Sequence, residues 1–182
     1  AAPGGKTAHI LEGVDCTLTA ADVDEARLAR VRESLQRLGL KARAVCDDAQ
    51  KPARITEGAP YDRILADVPC TASGVVRRHP DIKWLRRKSD IARFARTQQV
   101  MLEALWPLLA PGGRLLYATC SVFPEENSQQ VEAFLKSHLD ASRLHLPSAS
   151  LLAADPAWRD GGQLLPNATH DGFYYALLGK AA

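Results

Sequence analysis

Two of the four cysteines stand where a reactive thiol would be useful. Cys70 follows Asp67 in LADVPCTASG (65–74), and Cys120 lies in YATCS (117–121). Each run reads as an apolar strand that ends in polar residues. In open α/β sheets, ligands gather outside the carboxyl ends of strands, so two adjacent strand ends would bring Cys70 and Cys120 near one another and near Asp67. A strand ending in a Pro turn with a buried cysteine explains the first run alone. The second cysteine tips the balance towards a paired site. No two of Cys16, Cys46, Cys70 and Cys120 have CxxC spacing, which argues against a zinc ribbon and lends no support to a disulfide framework. A working cysteine here would act singly, as the thiolate, and no metal is expected. Cys16 and Cys46 fall in strand-like runs and are expected as small core residues.

The opening AAPGGKT (1–7) allows two chemistries. Gly5-Lys6-Thr7 matches the end of a phosphate-binding GxxxxGK[ST] loop, whose first glycine would precede residue 1. No later strand carries the apolar run and metal-binding aspartate that such a loop works with. The alternative is a cofactor loop, which needs an acidic residue at the end of the second strand for ribose hydroxyls. Asp22 lies 17 residues after Gly5, close to the roughly 20 such a unit requires. Asp22, Asp48, Asp67 and Thr119-Cys120 all fall at strand ends, and the expectation is that they face one crevice.

The elements that must position these residues alternate β and α, the pattern of parallel βαβ units. A helix is expected from 5–13, a buried strand at 16–22, and an amphipathic helix at 24–39 with Ala26, Leu28, Val31, Leu35 and Leu38 on one stripe and Gly39 as C-cap. Strands are expected at 41–48, 61–67, 113–121 and 171–180. A helix over 89–109 carries Ile91, Phe94, Met101, Leu102, Leu105 and Leu109 and ends at Pro111-Gly112-Gly113. Another starts at Pro124 with Glu125 and Glu126 in its first turn. Residues 147–170 read as mostly loop, and Trp84 and Trp106 as packing groups.

The 182 residues are 46% hydrophobic and 24% charged, with a net charge of +2, the composition of one water-soluble globular domain, 1–182. No apolar run approaches membrane-spanning length, and no signal core opens the chain; a cytoplasmic monomer is expected. The stretch from Arg77 to Lys88 holds six Lys or Arg against one Asp. Taken alone, it is a solvated basic face.

AAPGGKT, DVDEARL, DVPCTASGVVRRHPDIKWLRR, PGGRLLYATCSVFPEEN and DGFYYALL together strongly resemble the Sun/Fmu (RsmB) family of bacterial ribosomal RNA cytosine-5 methyltransferases, over nearly the whole chain. The resemblance implies a Rossmann-like α/β fold, with a mostly parallel sheet and an antiparallel C-terminal strand, that uses S-adenosylmethionine. It implies that Cys120 adds to carbon 6 of the cytosine, that Asp67 holds the N3/N4 edge, and that Cys70 assists loss of the carbon 5 proton and release of the adduct. Ala2, Pro3, Gly4, Gly5 and Lys6 would approach the cofactor, Asp22 its ribose and Asp48 its adenine, with Asp67 also bordering it; Asp47, next to Asp48, is the competing choice. Arg77, Arg78, His79 and Lys83 would contact RNA phosphates. Val68 and Thr71 stand where the family usually has Ala and Ser, small changes that keep the Asp-x-Pro-Cys spacing. The family's loop follows a strand that this chain does not include, so a truncated catalytic domain lacking its first strand and N-terminal RNA-binding region is expected. A non-catalytic RNA-binding remnant is the competing class of function.

Overall fold

The computed structural model describes residues 1–146, 158–159 and 162–182. They form two compact units, Ala1–Pro60 and Tyr61–Ala182.

The first unit runs α1 (Gly5–Gly13), β1 (Thr19–Asp22), α2 (Glu25–Leu38), β2 (Arg43–Cys46) and a 3-10 turn at Ile55–Gly58. β1 and β2 pair in parallel with Asp22 opposite Cys46. Both chains therefore end at the same sheet edge. Asp24 caps α2 by accepting from Ala26 N and Arg27 N at 2.8 and 3.2 Å, a contact worth ~1 kcal/mol. At the other end Leu40 N reaches back to Leu35 O, with Gly39 in the left-handed region as the expected C-cap.

Leu28, Val31 and Leu35 of α2 pack with Ala8 and Ala20 to form this unit's core. Ala26 and Leu38, expected on the same stripe, are exposed. At 100° per residue Ala26 lies opposite Leu28, and Leu38 falls at the flank of the last turn. The expected 16–22 strand shortens to Thr19–Asp22, which leaves Cys16 exposed, and Cys46 is only half-buried at the end of β2. Cys16 is thus not the core residue expected, whereas Cys46 packs against the edge of the core.

The second unit contains β3 (Tyr61–Asp67), α3 (Ile82–Leu85), α4 (Lys88–Leu105), β4 (Leu109–Thr119), α5 (Ser128–Ser137), β5 (Ala141–Leu144), β6 (Trp158–Arg159), β7 (Gln163–Leu164) and β8 (Phe173–Lys180). β3 runs parallel to β4, and β4 is antiparallel to β8. β5 and β7 pair with opposite ends of β8, and β6 pairs with β7. The α/β class and the antiparallel C-terminal strand are thus as expected. Leu115, Tyr117, Tyr174 and Leu178 of the central strands are buried, as are Leu102, Leu105, Val131 and Phe134 of α4 and α5. Trp106 meets Phe134 edge to face at 5.2 Å.

Several expectations need correcting. α4 stops at Leu105 and a 3-10 turn at Trp106–Leu108 leads directly into β4, so Leu109 is a buried strand residue and Pro111-Gly112-Gly113 lies within β4. Pro107 explains the early stop, since it lacks the N–H that would continue the helix. The Pro124 helix is broken: Pro124–Glu126 is a 3-10 turn, and Asn127 at φ −121°, ψ −103° separates it from α5. The 147–170 segment, expected as mostly loop, holds the two-residue strands β6 and β7; residues 147–157 and 160–161 lie outside the described residues. Trp106 packs as expected, but Trp84 is 89% exposed. Among the described residues no helix is long and apolar enough to cross a membrane.

Candidate active site

β3 and β4 lie side by side in parallel, Asp67 opposite Ala118, so the two cysteine-bearing segments leave the sheet at one edge. Cys70 Sγ and Cys120 Sγ are 3.4 Å apart. This is hydrogen-bond contact between two sulfurs, in which either can donate. Cys70 is buried and Cys120 is half-buried; the negative charge is less costly on the more accessible sulfur. The hydrogen bond with Cys120, together with burial, drives the Cys70 thiol well above its usual range. The same bond is the largest influence on Cys120 and holds it below the usual thiol range, against burial and the Asp67 and Glu126 carboxylates, which act upward. The two opposite shifts favour Cys70 as the donor and Cys120 as the sulfur that ionises first.

Both loops are fixed by a buried carboxylate that the sequence did not single out. Glu126, fully buried, accepts from Thr71 N at 2.9 Å, Thr71 Oγ1 and Ser121 Oγ at 2.5 Å each, and Gln98 Nε2 at 3.2 Å. It thereby ties the residue after Cys70 to the residue after Cys120 and to α4. Gln98 Nε2 also donates to Pro69 O at 2.9 Å. Asn127 accepts from Thr119 Oγ1 and donates to Ser121 O. In the sequence, Glu126 reads as a helix first-turn acid; its position six residues after Cys120 is the one signal that pointed here.

Gly74 closes the constellation. Its N–H donates to Cys120 O and its carbonyl accepts from Gly172 N, both at 2.8 Å. A Cβ at Gly74 would lie 2.3 Å from Gly172 O and 2.9 Å from Cys120 O, and neither backbone atom can rotate away. Gly74→Ala is therefore expected to cost ~3 kcal/mol and to displace Cys120. An unchanged thermal unfolding midpoint would show that the loops yield freely.

In the first unit, Gly4 at φ 108° caps α1, and a Cβ there would press on Val31 Cα at 3.3 Å. Pro3 O accepts from Ser34 Oγ at 3.3 Å, and Lys6 is exposed. Asp22, buried at the end of β1, accepts from Ala1 N, Ala2 N and Asp24 N at 3.0–3.2 Å. Asp47 and Asp48 follow β2 and differ in role. Asp47 Oδ2 accepts from Ala53 N, Arg54 N and Ile55 N at 2.8–2.9 Å, so its carboxylate builds the following turn. Although burial acts upward, these bonds hold its pKa below the usual carboxylate range. Asp48 Oδ1 accepts from Gln50, two residues on, through its N and Nε2 at 2.9 and 3.4 Å.

The basic stretch divides. Arg78 Nε lies 2.6 Å from Asp171 Oδ2, Arg77 Nη2 is 3.7 Å from Asp171 Oδ1, and Arg77 Nη1 donates to Ala168 O. Asp171 is buried, so these two guanidinium groups fasten the post-β3 loop to the segment before β8. His79 and Lys83 are exposed. Among the described residues, no group of three or more His, Cys, Asp or Glu side chains could hold a metal ion.

Residues 1–179 match the family model described as 16S rRNA methyltransferase RsmB/F. The Ribosomal RNA small subunit methyltransferase B of Vibrio cholerae is 54% identical over 182 residues, 99% of this chain and 40% of that protein. The chain thus spans about two fifths of the length of that relative. Among solved structures, NSun6 from Pyrococcus horikoshii with SFG is similar at 28% identity and a TM-score of 0.80, over 100% of this chain and 46% of that one. A methyltransferase homolog protein from the same organism is 32% identical with a TM-score of 0.77, over 99% of this chain and 59% of that one. With the family model covering nearly every residue, including both cysteine-bearing strand ends, the chain belongs to the 16S rRNA methyltransferase RsmB/F family.

Proposed function

We propose that this chain carries the chemistry of an RNA cytosine-5 methyltransferase, moving a methyl group from S-adenosylmethionine to carbon 5 of a cytosine in small-subunit ribosomal RNA. The observation that carries this reading is the thiol pair at 3.4 Å, at adjacent strand ends and within reach of the Asp67 charge, which acts on Cys120. Methylating an oxygen or a nitrogen lone pair needs no such pair. Carbon 5 of cytosine does, because it is a poor nucleophile until a thiolate adds next to it.

The first unit offers residues that fit the cofactor. The backbone at Gly5 faces open space, where a ligand can approach the start of α1; Asp22 is the last residue of β1, and Asp48 lies two residues beyond β2. Pro3, Gly4, Gly5, Lys6, Asp22 and Asp48 would hold it. When bound, S-adenosylmethionine supplies an electrophilic methyl group.

Cys120 thiolate attacks carbon 6 of the extruded cytosine, forming an S–C6 bond and pushing the C5=C6 π pair into the ring. Asp67 holds the N3/N4 edge and favours its protonation as charge builds there. The resulting enamine is rich in electrons at carbon 5, the atom methylated in the product. A solvent base then takes the carbon 5 proton, the N3 edge returns its proton to Asp67, and Cys70, which keeps its own proton, assists by donating to the departing Cys120 sulfur. As the S–C6 bond breaks, Cys120 leaves as a thiolate that the Cys70 S–H can again stabilise. Such chemistry on ribosomal RNA assigns the chain to the cytoplasm.

The test is transfer of labelled methyl from S-adenosylmethionine to unmodified small-subunit ribosomal RNA by the protein as its gene encodes it. Nucleoside digestion is expected to return the label as 5-methylcytidine. Label in a ribose or in another base would overturn the reading, and RNA binding without transfer would leave a non-catalytic remnant.

A further inference from the structure

Trp84 and Leu85, consecutive on α3, are 89% and 64% exposed. An aromatic side chain normally buries ~150–250 Å², and leaving an indole in water beside a leucine forfeits that burial. Ile82, on the same short helix, is buried and fixes the helix to the unit. Lys83, Arg86, Arg87 and Lys88 flank the apolar pair and are all exposed, with no acidic residue from 82 to 88. Arg86 Nε donates to Thr71 O at 2.9 Å, and its guanidinium lies over the Phe94 ring at 5.5 Å. One side chain therefore ties the segment that presents Trp84 to the residue that follows Cys70.

We propose that Trp84 is a stacking platform for an unpaired base of the substrate RNA, a neighbour of the cytosine delivered to the thiol pair. This rests on the RNA methyltransferase reading above. The choice of occupant follows from charge. An apolar protein surface would meet four desolvated cations, whereas a polyanion gains from each of them. Extruding one base leaves its neighbours without a stacking partner. An aromatic face restores that contact whatever the base, at ~1–3 kcal/mol per base. Leu85 walls the platform, and Lys83 and Arg87 take the adjoining phosphates.

The test compares Trp84→Ala, Trp84→Phe and Trp84→Leu in the protein as encoded. The probes are fluorescein-labelled single-stranded oligocytidylate, without cofactor, and unmodified small-subunit ribosomal RNA. Trp84→Ala and Trp84→Leu are expected to weaken both by about 5- to 150-fold, matching one stacked base, and to raise KM far more than they lower kcat. Trp84→Phe is expected to keep most of the affinity. Because Trp84 touches little else in its unit, all three are expected to unfold at the wild-type temperature. Unchanged affinity in Trp84→Ala would overturn the proposal. So would full rescue by leucine, which would make the contact apolar packing, or a Trp84 shielded from acrylamide in the RNA-free protein. If the wild-type protein neither binds nor methylates RNA, the functional reading itself falls; if it does both and only the Trp84 effects are missing, the platform alone falls.

Discussion

Cys120→Ser is expected to abolish methyl transfer, by on the order of 10⁴-fold or more, with little change in unfolding temperature. A serine hydroxyl fills the same space but holds its proton at neutral pH, so nothing attacks carbon 6. Cys70→Ala should fail later. The S–C6 bond forms, but the donor that would receive the departing thiolate is gone, and a protein–RNA adduct accumulates that survives denaturing electrophoresis. Full activity in Cys120→Ser would overturn the mechanism. Adduct in Cys120→Ala, with none in Cys70→Ala, would exchange the two roles.

The pair also carries a pH signature. The attacking form is the thiolate, and the Cys70 S–H at 3.4 Å is the largest influence holding Cys120 below the usual thiol range. The rate of adduct formation is therefore present above that lowered value and lost as pH falls through it. Removing the donor in Cys70→Ala takes away the larger downward influence and leaves burial and the Asp67 and Glu126 charges opposed by the Cys120 backbone N–H, so the loss should begin at higher pH. Cys70→Ser, whose hydroxyl still donates, should lie between. Single-turnover adduct formation followed against pH reads this directly, and coincident profiles for wild type and Cys70→Ala would mean that the sulfurs do not share a proton.

The sequence displayed this centre unevenly, for physical reasons. Asp67, Cys70 and Cys120 were legible because a strand has a strong local pattern and its carboxyl end is where ligands gather. The long strands β3, β4 and β8 showed through for the same reason. The short strands β5, β6 and β7 did not, because two to four residues carry too little periodicity and borrow their order from pairing with β8 or with each other. Trp84 was misread because a large aromatic is usually core; its exposure is a property of a four-residue helix that turns only Ile82 inward. Arg77 and Arg78 looked like pure RNA contacts, since nothing local shows that Asp171, more than ninety residues on, lies beneath them.

Glu126 was the hardest residue to see and carries the second large effect. Its partner Thr71 is 55 residues away, so no window of sequence contains the interaction. The two 2.5 Å hydroxyl contacts have the length of charge-assisted O–H···O⁻ bonds, and all four of its donors are neutral. Glu126→Ala strands Thr71 N in the interior, leaves Gln98 Nε2 with its bond to Pro69 O alone, frees the Thr71 and Ser121 hydroxyls, and is expected to cost ~3–5 kcal/mol, read as a large fall in unfolding temperature. Glu126→Gln separates architecture from chemistry. Its carbonyl can still accept from Thr71 N, and the Thr71 and Ser121 hydroxyls can turn to accept from its amide, so the fold should survive. With weaker bonds to both loops, the thiols lose their fixed separation. Adduct formation in Glu126→Gln should fall about 10- to 100-fold, on the scale of a 1 Å misplacement of reacting groups, and the pH limb should move towards that of Cys70→Ala. A Glu126→Gln protein with wild-type adduct formation and pH profile would make Glu126 a brace for the fold alone; wild-type unfolding in Glu126→Ala would remove even that role.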